Sequence, residues 1–389
     1  MRTKQVFLDN AATSKPKPAA VAKAIMHYLS QIGTSPGRGG YNLSLEAGRI
    51  VLETREIVRS LFNAPAAEQV IFTPNVTYAL NIALQGLLET GDHVITTSME
   101  HNSVIRPLRA LEQSRDLEIT IVPCNRQGCL DPAAVKKALR PNTKLLVFTH
   151  ASNVSGTVLP LADLAAIAQE AGILTVVDSA QTAGVLPLDF QRHKLDVLAF
   201  TGHKSLYGPP GTGGLIVRQQ VAAKMKPLIF GGTGSKSDHE YQPEFLPDKF
   251  EAGTTNTVGL AGLQAGIKFI TDIGLEQIAA HEKYLTRLFI AGLAELPQIK
   301  LHGPAADGNR ISTVSITIPG QDAGTLAYRL DVEYGIMVRS GLHCAPLAHK
   351  TLGTFPKGTL RFSFGYFNSE HDVLYALKAL KNLLIKTAS

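Results

Sequence analysis

The stretch DVLAFTGHKSLYGPPGTGGLIV, residues 196–217, decides the fold. Two short apolar runs flank a loop rich in glycine and proline. Each run is apolar on consecutive positions, which suits a strand buried on both faces rather than one half in water. Lys204 follows the first run closely, at the carboxyl edge where open α/β sheets build their sites.

Working outward, the runs QVIFTP, HVITTS, EITIVP, KLLVFTH and ILTVVDSA repeat the pattern of VLAFTG and GLIVR, and most are separated by helical stretches such as PLADLAAIAQEAGI. In AVAKAIMHYLSQI, Val21, Ala24, Ile25, Tyr28, Leu29 and Ile32 share one face at helical spacing. Such alternation from about residue 20 to 220 predicts an open, mainly parallel sheet with helices on both sides. After about residue 265 the pattern changes. NRISTVSITIPG alternates as a half-exposed strand, TLAYRLDVEYGIMV reads as helix then strand, TLRFSFGYFN as strand, and HDVLYALKALKNLLIK as an amphipathic helix. The expected division is a large α/β domain over 20–265 and a small α+β domain from 1–19 and 266–389, with an antiparallel sheet carrying helices on one face. The Gly-rich segment 230–256 is long for a connector, and loops of that length commonly carry function.

Composition narrows the classes. The 389 residues are 44% apolar and 18% charged, which supplies a core and excludes disorder. The net charge of +6 comes without a Lys/Arg run or a basic stripe interleaved with aromatics, so no nucleic-acid partner is expected. A mild positive potential suits an anionic small molecule or a phosphorylated cofactor. The start MRTKQVFLDNAATSKPKP lacks the apolar region of a signal peptide, and no apolar run is long enough for a membrane span. A cytoplasmic protein without membrane association is expected. Three cysteines cannot all pair, which fits a reducing compartment.

The loop GPPGTGG resembles a phosphate-binding P-loop, in which a Lys reaches phosphates and a Ser or Thr holds magnesium. Gly208 and Gly213 have the right spacing, but Gly214 and Leu215 occupy the positions of the two reactive groups. The P-loop reading fails, and Lys204 remains. A lysine desolvated at a strand end becomes a nucleophilic amine suited to Schiff-base chemistry, although any single lysine is more often a surface residue. Upstream, ILTVVDSAQTAG places Asp178 at another strand end. Alone it reads equally as a turn or helix-cap residue. Beside a lysine-bound pyridoxal phosphate, such a carboxylate keeps the ring nitrogen protonated and the ring an electron sink.

With these residues in view, the sequence resembles the class V aminotransferase-fold enzymes dependent on pyridoxal 5'-phosphate, and among them the cysteine desulfurases. The resemblance runs almost end to end, through FLDNAATSKP, MEHNS, HASNVSGTVLP, VVDSAQ, TGHKSLYGPPGTG, FEAGTTNT, VRSGLHCAP and TLRFSFGYFN. It implies the fold-type-I architecture, a mainly parallel seven-stranded sheet sandwiched by helices. It implies that Lys204 binds the cofactor and shuttles protons, that Asp178 meets the ring nitrogen, and that Gln181 meets the phenolic oxygen. His101 would stack on the ring and move protons, and Asn153 would lie near the cofactor oxygen and the substrate carboxylate. Val76 and Thr77, opening a helix in PNVTYALNIAL, would bind the phosphate with Thr201 and His203, as helix N-termini bind anions. Thr254 would reach the cofactor phosphate of a partner subunit, which implies a homodimer. Arg361 would hold the substrate carboxylate as a planar cation, with Arg339 a second substrate-binding candidate; from the residue alone, Arg361 reads as readily as an ion-paired strand residue.

Cys344 bears most directly on the reaction. Free cysteine usually behaves as a small hydrophobe, but RSGLHCAP lies outside any regular apolar pattern. It matches the short-loop (group II) desulfurase motif, whose cysteine takes the sulfur of L-cysteine as a persulfide and passes it to a protein or small-thiol acceptor. A nucleophile of that kind must be accessible and partly thiolate. The loop reads Leu342 where group II relatives often have a second histidine, DSAQ stands for the commoner DGAQ, and SPGRGGYNLS differs from the best-known members. A selenocysteine or cystine lyase, in which the loop cysteine is dispensable, and a class V aminotransferase are the alternatives, as is a scaffold without catalysis. Cys124 and Cys129 flank a predicted turn and lack the second pair a metal site needs; no metal is expected.

Overall fold

The structure, a computed structural model, describes residues 5–37 and 39–388. Residues 1–4, at the head of the expected small domain, and Arg38, within SPGRGGYNLS, lie outside the described residues.

All seven apolar runs form one seven-stranded sheet. In spatial order its strands are Val70–Thr73, Gly213–Val217, Val197–Thr201, Leu174–Asp178, Thr143–Thr149, His93–Thr97 and Glu118–Val122. Gly213–Val217 runs antiparallel to both neighbours, and the other pairings are parallel. The consecutive apolar pattern has the expected cause. Leu198 and Phe200 face one core with Phe62, Leu164 and Ile267, while Val197 and Ala199 face a second core with Leu80, Leu108 and Val221. A strand covered on both faces has no polar side to show.

A four-stranded antiparallel sheet orders Arg339–Gly341, Thr359–Ser363, Thr313–Thr317 and Lys300–His302. Its core packs Val314, Ile316 and Phe362 against Leu285 and Phe289 of the helix Leu275–Ala294 and against Leu380 and Leu383 of the final helix Glu370–Ala388. The strand expected at the end of TLAYRLDVEYGIMV is Ile336–Met337, but it pairs in parallel with Val6–Phe7 rather than joining the antiparallel sheet. That pairing ties the segment around Val6 to the core of the four-stranded sheet, where Val6 and Leu8 are buried. The helix Thr257–Ile273 runs through residue 265 and packs with the large sheet's first core through Leu263, Ile267 and Ile270. No single helix among the described residues is long and apolar enough to cross a membrane.

Candidate active site

At the carboxyl ends of the central strands lies a cavity of about 430 Å³. Val76, Thr77, His101, Asn153, Asp178, Gln181, Thr201, His203 and Lys204 all line it, together with Asn75, Ser103 and Thr149. Nine residues named from the sequence are thus gathered from five separate segments. Thr254, Arg339, Cys344 and Arg361 lie outside the lining.

Lys204 follows the strand Val197–Thr201, and its loop is pinned by the start of the chain. Ser14 donates its hydroxyl to the Lys204 carbonyl at 2.8 Å, while the Ser14 N–H, the Thr13 hydroxyl and Lys17 Nζ all donate to the His203 carbonyl. Gly184, at φ +85°, lets the backbone of Ser205 approach where any Cβ would collide with its carbonyl. Burial lowers the Lys204 amine to about 8, with the Asp178 carboxylate opposing that shift. A substantial neutral fraction therefore exists near neutral pH, as a nucleophilic amine requires.

Asp178 closes the neighbouring strand Leu174–Asp178, fully enclosed. Burial raises its carboxyl, while the Ala180 N–H, donating to Oδ1 at 2.9 Å, and Lys204 pull the other way. A second enclosed carboxyl, Glu100, accepts from the Thr97 hydroxyl at 2.5 Å and from the Thr149 N–H at 2.9 Å, and burial pushes it up to about 8. Glu100 therefore stays largely protonated near neutral pH, and the Asp178 charge is among the causes that push it up.

His101 caps the helix Asn102–Arg115, its Nδ1 accepting from the Ser103 N–H at 3.0 Å. That bond fixes the neutral tautomer as Nε2–H. Burial, then the neighbouring cations Lys204 and Arg339, lower the imidazole to about 3, so it stays neutral. At the start of the helix Val76–Leu87, Asn75 Oδ1 accepts from the Thr77 and Tyr78 N–H groups, and the Thr77 hydroxyl meets Ser103 Oγ at 2.8 Å. The helix terminus and its hydroxyls form an anion cradle, and the Thr201 hydroxyl nearby is buried with no partner. Gln181 Nε2 donates to the Ala11 carbonyl at 3.1 Å.

Arg361 and Cys344 stand just behind this wall. Arg361 is fully buried, its Nη2 on Asp9 Oδ1 at 2.6 Å and its Nη1 on the Asn153 carbonyl at 2.9 Å, while its Nε has no partner. Cys344 is exposed, and Arg339 Nη2 lies 3.7 Å from its sulfur. Two bonds staple the cysteine loop to the cavity rim: Asn102 N–H donates to the Cys344 carbonyl at 2.8 Å, and Asn153 Nδ2 to the His343 carbonyl at 2.7 Å. Thr254 is exposed, on a separate smaller cavity shared with Tyr78 and Glu251.

Sequence reasoning passed over three participants. Ser103 joins His101 to Thr77, and its place two residues after His101 at a helix start was the available signal. Asn75 stood at a cap position in PNVTYAL. Asp9 gave no signal, because its partner lies 352 residues away. Cys124 and Cys129 are free, and no cluster able to hold a metal occurs among the described residues.

Residues 6–375 match the family Aminotransferase class-V. The chain belongs to the class-V aminotransferase family. A relative from Methanothermobacter thermautotrophicus, named "Probable cysteine desulfurase", is 35% identical over 372 residues, covering 95% of this chain and 92% of the relative. The solved apo cysteine desulfurase of Thermococcus onnurineus NA1 is 33% identical, with a TM-score of 0.92 and 98% of each chain covered. The Escherichia coli cysteine desulfurase CsdA, solved with an S-sulfonic acid, is 30% identical with a TM-score of 0.88, covering 98% of this chain and 94% of that one. The fold-type-I architecture read from the sequence is therefore the architecture of this class-V chain.

Proposed function

We propose that this class-V chain is a pyridoxal 5'-phosphate-dependent cysteine desulfurase, converting L-cysteine to L-alanine and leaving the sulfur as a persulfide on Cys344. The observation that carries the reading is an accessible thiol loop stapled to the rim of a cavity that holds a half-buried lysine beside a buried carboxyl.

The residues fit the cofactor. Lys204 would hold its aldehyde carbon, Asp178 its ring nitrogen and Gln181 its phenolic oxygen. Val76, Thr77, Thr201 and His203 would take the phosphate; the unpartnered buried hydroxyl of Thr201 is the kind of donor such an anion satisfies. When bound, the group withdraws electrons from the substrate's α-carbon.

The chain's own residues supply the rest. Lys204, once free, moves the α-proton as an amine whose proton affinity lies close to neutral pH. His101, neutral with Nε2–H, would lie against the ring and offer a hydrogen-bond donor there. Arg361, with Asn153 beside it, receives the substrate carboxylate, and Arg339 steadies the sulfur of Cys344. The Cys344 thiolate attacks the substrate sulfur, the carbon–sulfur bond breaks, and the carbon left behind takes a proton to give alanine.

Thr254 and the exposed Tyr41, Leu45, Phe230 and Tyr241 fit a homodimer in which Thr254 reaches the other subunit's phosphate site. The same reading divides the chain into a large unit over 20–265 and a small one from 1–19 and 266–389, in the cytoplasm, with a protein or small thiol as sulfur acceptor. L-Selenocysteine remains a second candidate substrate.

The test is to supply purified protein with L-cysteine, L-selenocysteine and cystine and to measure alanine and keto acids. Alanine from cysteine, lost in Cys344→Ala, is expected. Undiminished turnover by Cys344→Ala would favour a lyase, and keto-acid product an aminotransferase.

A further inference from the structure

The thiol loop holds an uncommon backbone. Gly341, His343 and Cys344 have φ of +102°, +47° and +57°. For the two non-glycine residues the left-handed region is unfavourable, so the surroundings must over-determine it. The staples from Asn102 and Asn153 do this from the cavity side. Two histidines lie on the other side.

His343 is 2% exposed and His349, on the helix Pro346–Leu352, 0%, with ring centroids 5.6 Å apart. Each ring has one bonded nitrogen and one without a partner: His343 Nε2 meets Thr359 Oγ1 at 3.1 Å and its Nδ1 is orphaned, while His349 Nδ1 meets Thr354 Oγ1 at 2.7 Å and its Nε2 is orphaned. Proton counting assigns the roles. The Val154 carbonyl can only accept, so Ser315 donates to it at 2.6 Å. Ser315 then accepts from Thr359 at 3.0 Å, which uses the only Thr359 hydroxyl proton. Thr359 can therefore only accept from His343, whose proton sits on Nε2 and whose orphaned Nδ1 is an acceptor. At the other end, the Thr354 hydroxyl lies 2.7 Å from His349 Nδ1 and 3.4 Å from its nearest competing acceptor, the His349 carbonyl. It donates to Nδ1, so the orphaned His349 Nε2 carries a proton. Burial keeps both rings neutral, lowering each imidazole.

The orphaned His343 Nδ1 acceptor thus lies beside the His349 Nε2 donor beneath the thiol loop, where the Leu342 carbonyl, whose hydrogen bond opposes the effect of burial on the His349 imidazole, is a competing acceptor. We infer that His349 Nε2–H is hydrogen-bonded to His343 Nδ1, directly or through one trapped water, and that His349 is thereby a positioning residue for Cys344. The bond completes a one-way chain from Thr354 through His349, His343, Thr359 and Ser315 to the Val154 carbonyl. That chain ties the strained loop to the strands Thr359–Ser363 and Thr313–Thr317. Its effect on turnover rests on the desulfurase reading; its proton positions do not.

Neutron diffraction from the deuterated holoenzyme tests the chain directly. A deuteron on His349 Nε2 and none on His343 Nδ1 is expected, and a deuteron on His343 Nδ1 overturns the inference. Variants test the positioning. His349→Phe should slow alkylation of Cys344 by iodoacetamide several-fold and lower kcat about tenfold, roughly one hydrogen bond's worth. KM should stay unchanged, and His349→Gln, which keeps a donor at the Nε2 position, should restore most of both. Wild-type alkylation and kcat in a folded His349→Phe protein would refute the role; should that variant not fold, the neutron map alone decides. A protein inactive toward cysteine would leave the deuterons and the alkylation rates as judges of the chain.

Discussion

Asn153 touches both halves of the candidate chemistry: its Nδ2 donates to the His343 carbonyl of the thiol loop at 2.7 Å, and its own carbonyl accepts from Arg361 at 2.9 Å. A side chain of the cavity wall therefore sets the spacing between the thiol and the proposed carboxylate-binding cation. Asn153→Ala removes the first contact and keeps the second. It should lower kcat by about tenfold and destabilise the protein by about 1–3 kcal/mol through the orphaned His343 carbonyl. Steady-state kinetics and chemical denaturation measure the two effects, and the Lys204-bound absorbance should remain.

Arg361 is committed to Asp9 before any substrate arrives. Asp9→Ala would leave a buried guanidinium without its counter-charge, a change that typically costs about 3–5 kcal/mol. The melting temperature should fall accordingly. Arg361→Lys cannot reach Asp9 and the Asn153 carbonyl together, so it should raise KM for cysteine at least tenfold and also reduce stability.

The low proton affinity of Lys204 has a kinetic signature. The neutral amine is the form that attacks an aldehyde, so uptake of pyridoxal phosphate by cofactor-free protein should accelerate as pH rises toward about 8 and then level off. Stopped-flow absorbance follows this, and Lys204→Ala should give no borohydride-fixed cofactor. A uptake rate indifferent to pH between 6.5 and 8.5, roughly the interval bracketing that midpoint, would contradict the assignment.

Glu282 offers a stability test away from the site. It is buried on the helix Leu275–Ala294, accepts from Ser312 Oγ at 2.8 Å, and burial raises its carboxyl to about 8. The folded state therefore binds this proton more tightly than the unfolded chain. Its contribution is full below pH of about 4.5 and is lost as pH rises toward about 8. Glu282→Gln should flatten that decline and gain up to a few kcal/mol at pH above 8. Denaturation curves across this range provide the check.

Much of this was legible in the sequence for a definite reason. Seven strands announced themselves because burial on both faces forces consecutive apolar residues, and Asp178 and Lys204 stood at strand ends, where side chains reach the sheet's edge. Unreadable features depended on distant partners. Nothing near Asp9 marks it as the ion partner of Arg361, and nothing near Glu100 shows that Thr97 and Thr149 enclose its carboxyl. The histidine pair was equally hidden: His343 and His349 lie close in sequence, but their proton assignments come from Thr359 and Ser315 on separate strands. The short strand Ile336–Met337 was legible as a strand, whereas its parallel partner Val6–Phe7 lay at the far end of the chain.

The central claim is that sulfur passes to Cys344. Its most direct measurement is mass spectrometry of the Cys344 peptide from holoenzyme mixed with L-cysteine in the absence of a thiol acceptor and quenched with an alkylating agent. One added sulfur on that peptide, formed in step with the first equivalent of alanine, is the predicted result. Alanine released in that first turnover with the Cys344 peptide unmodified would contradict the account.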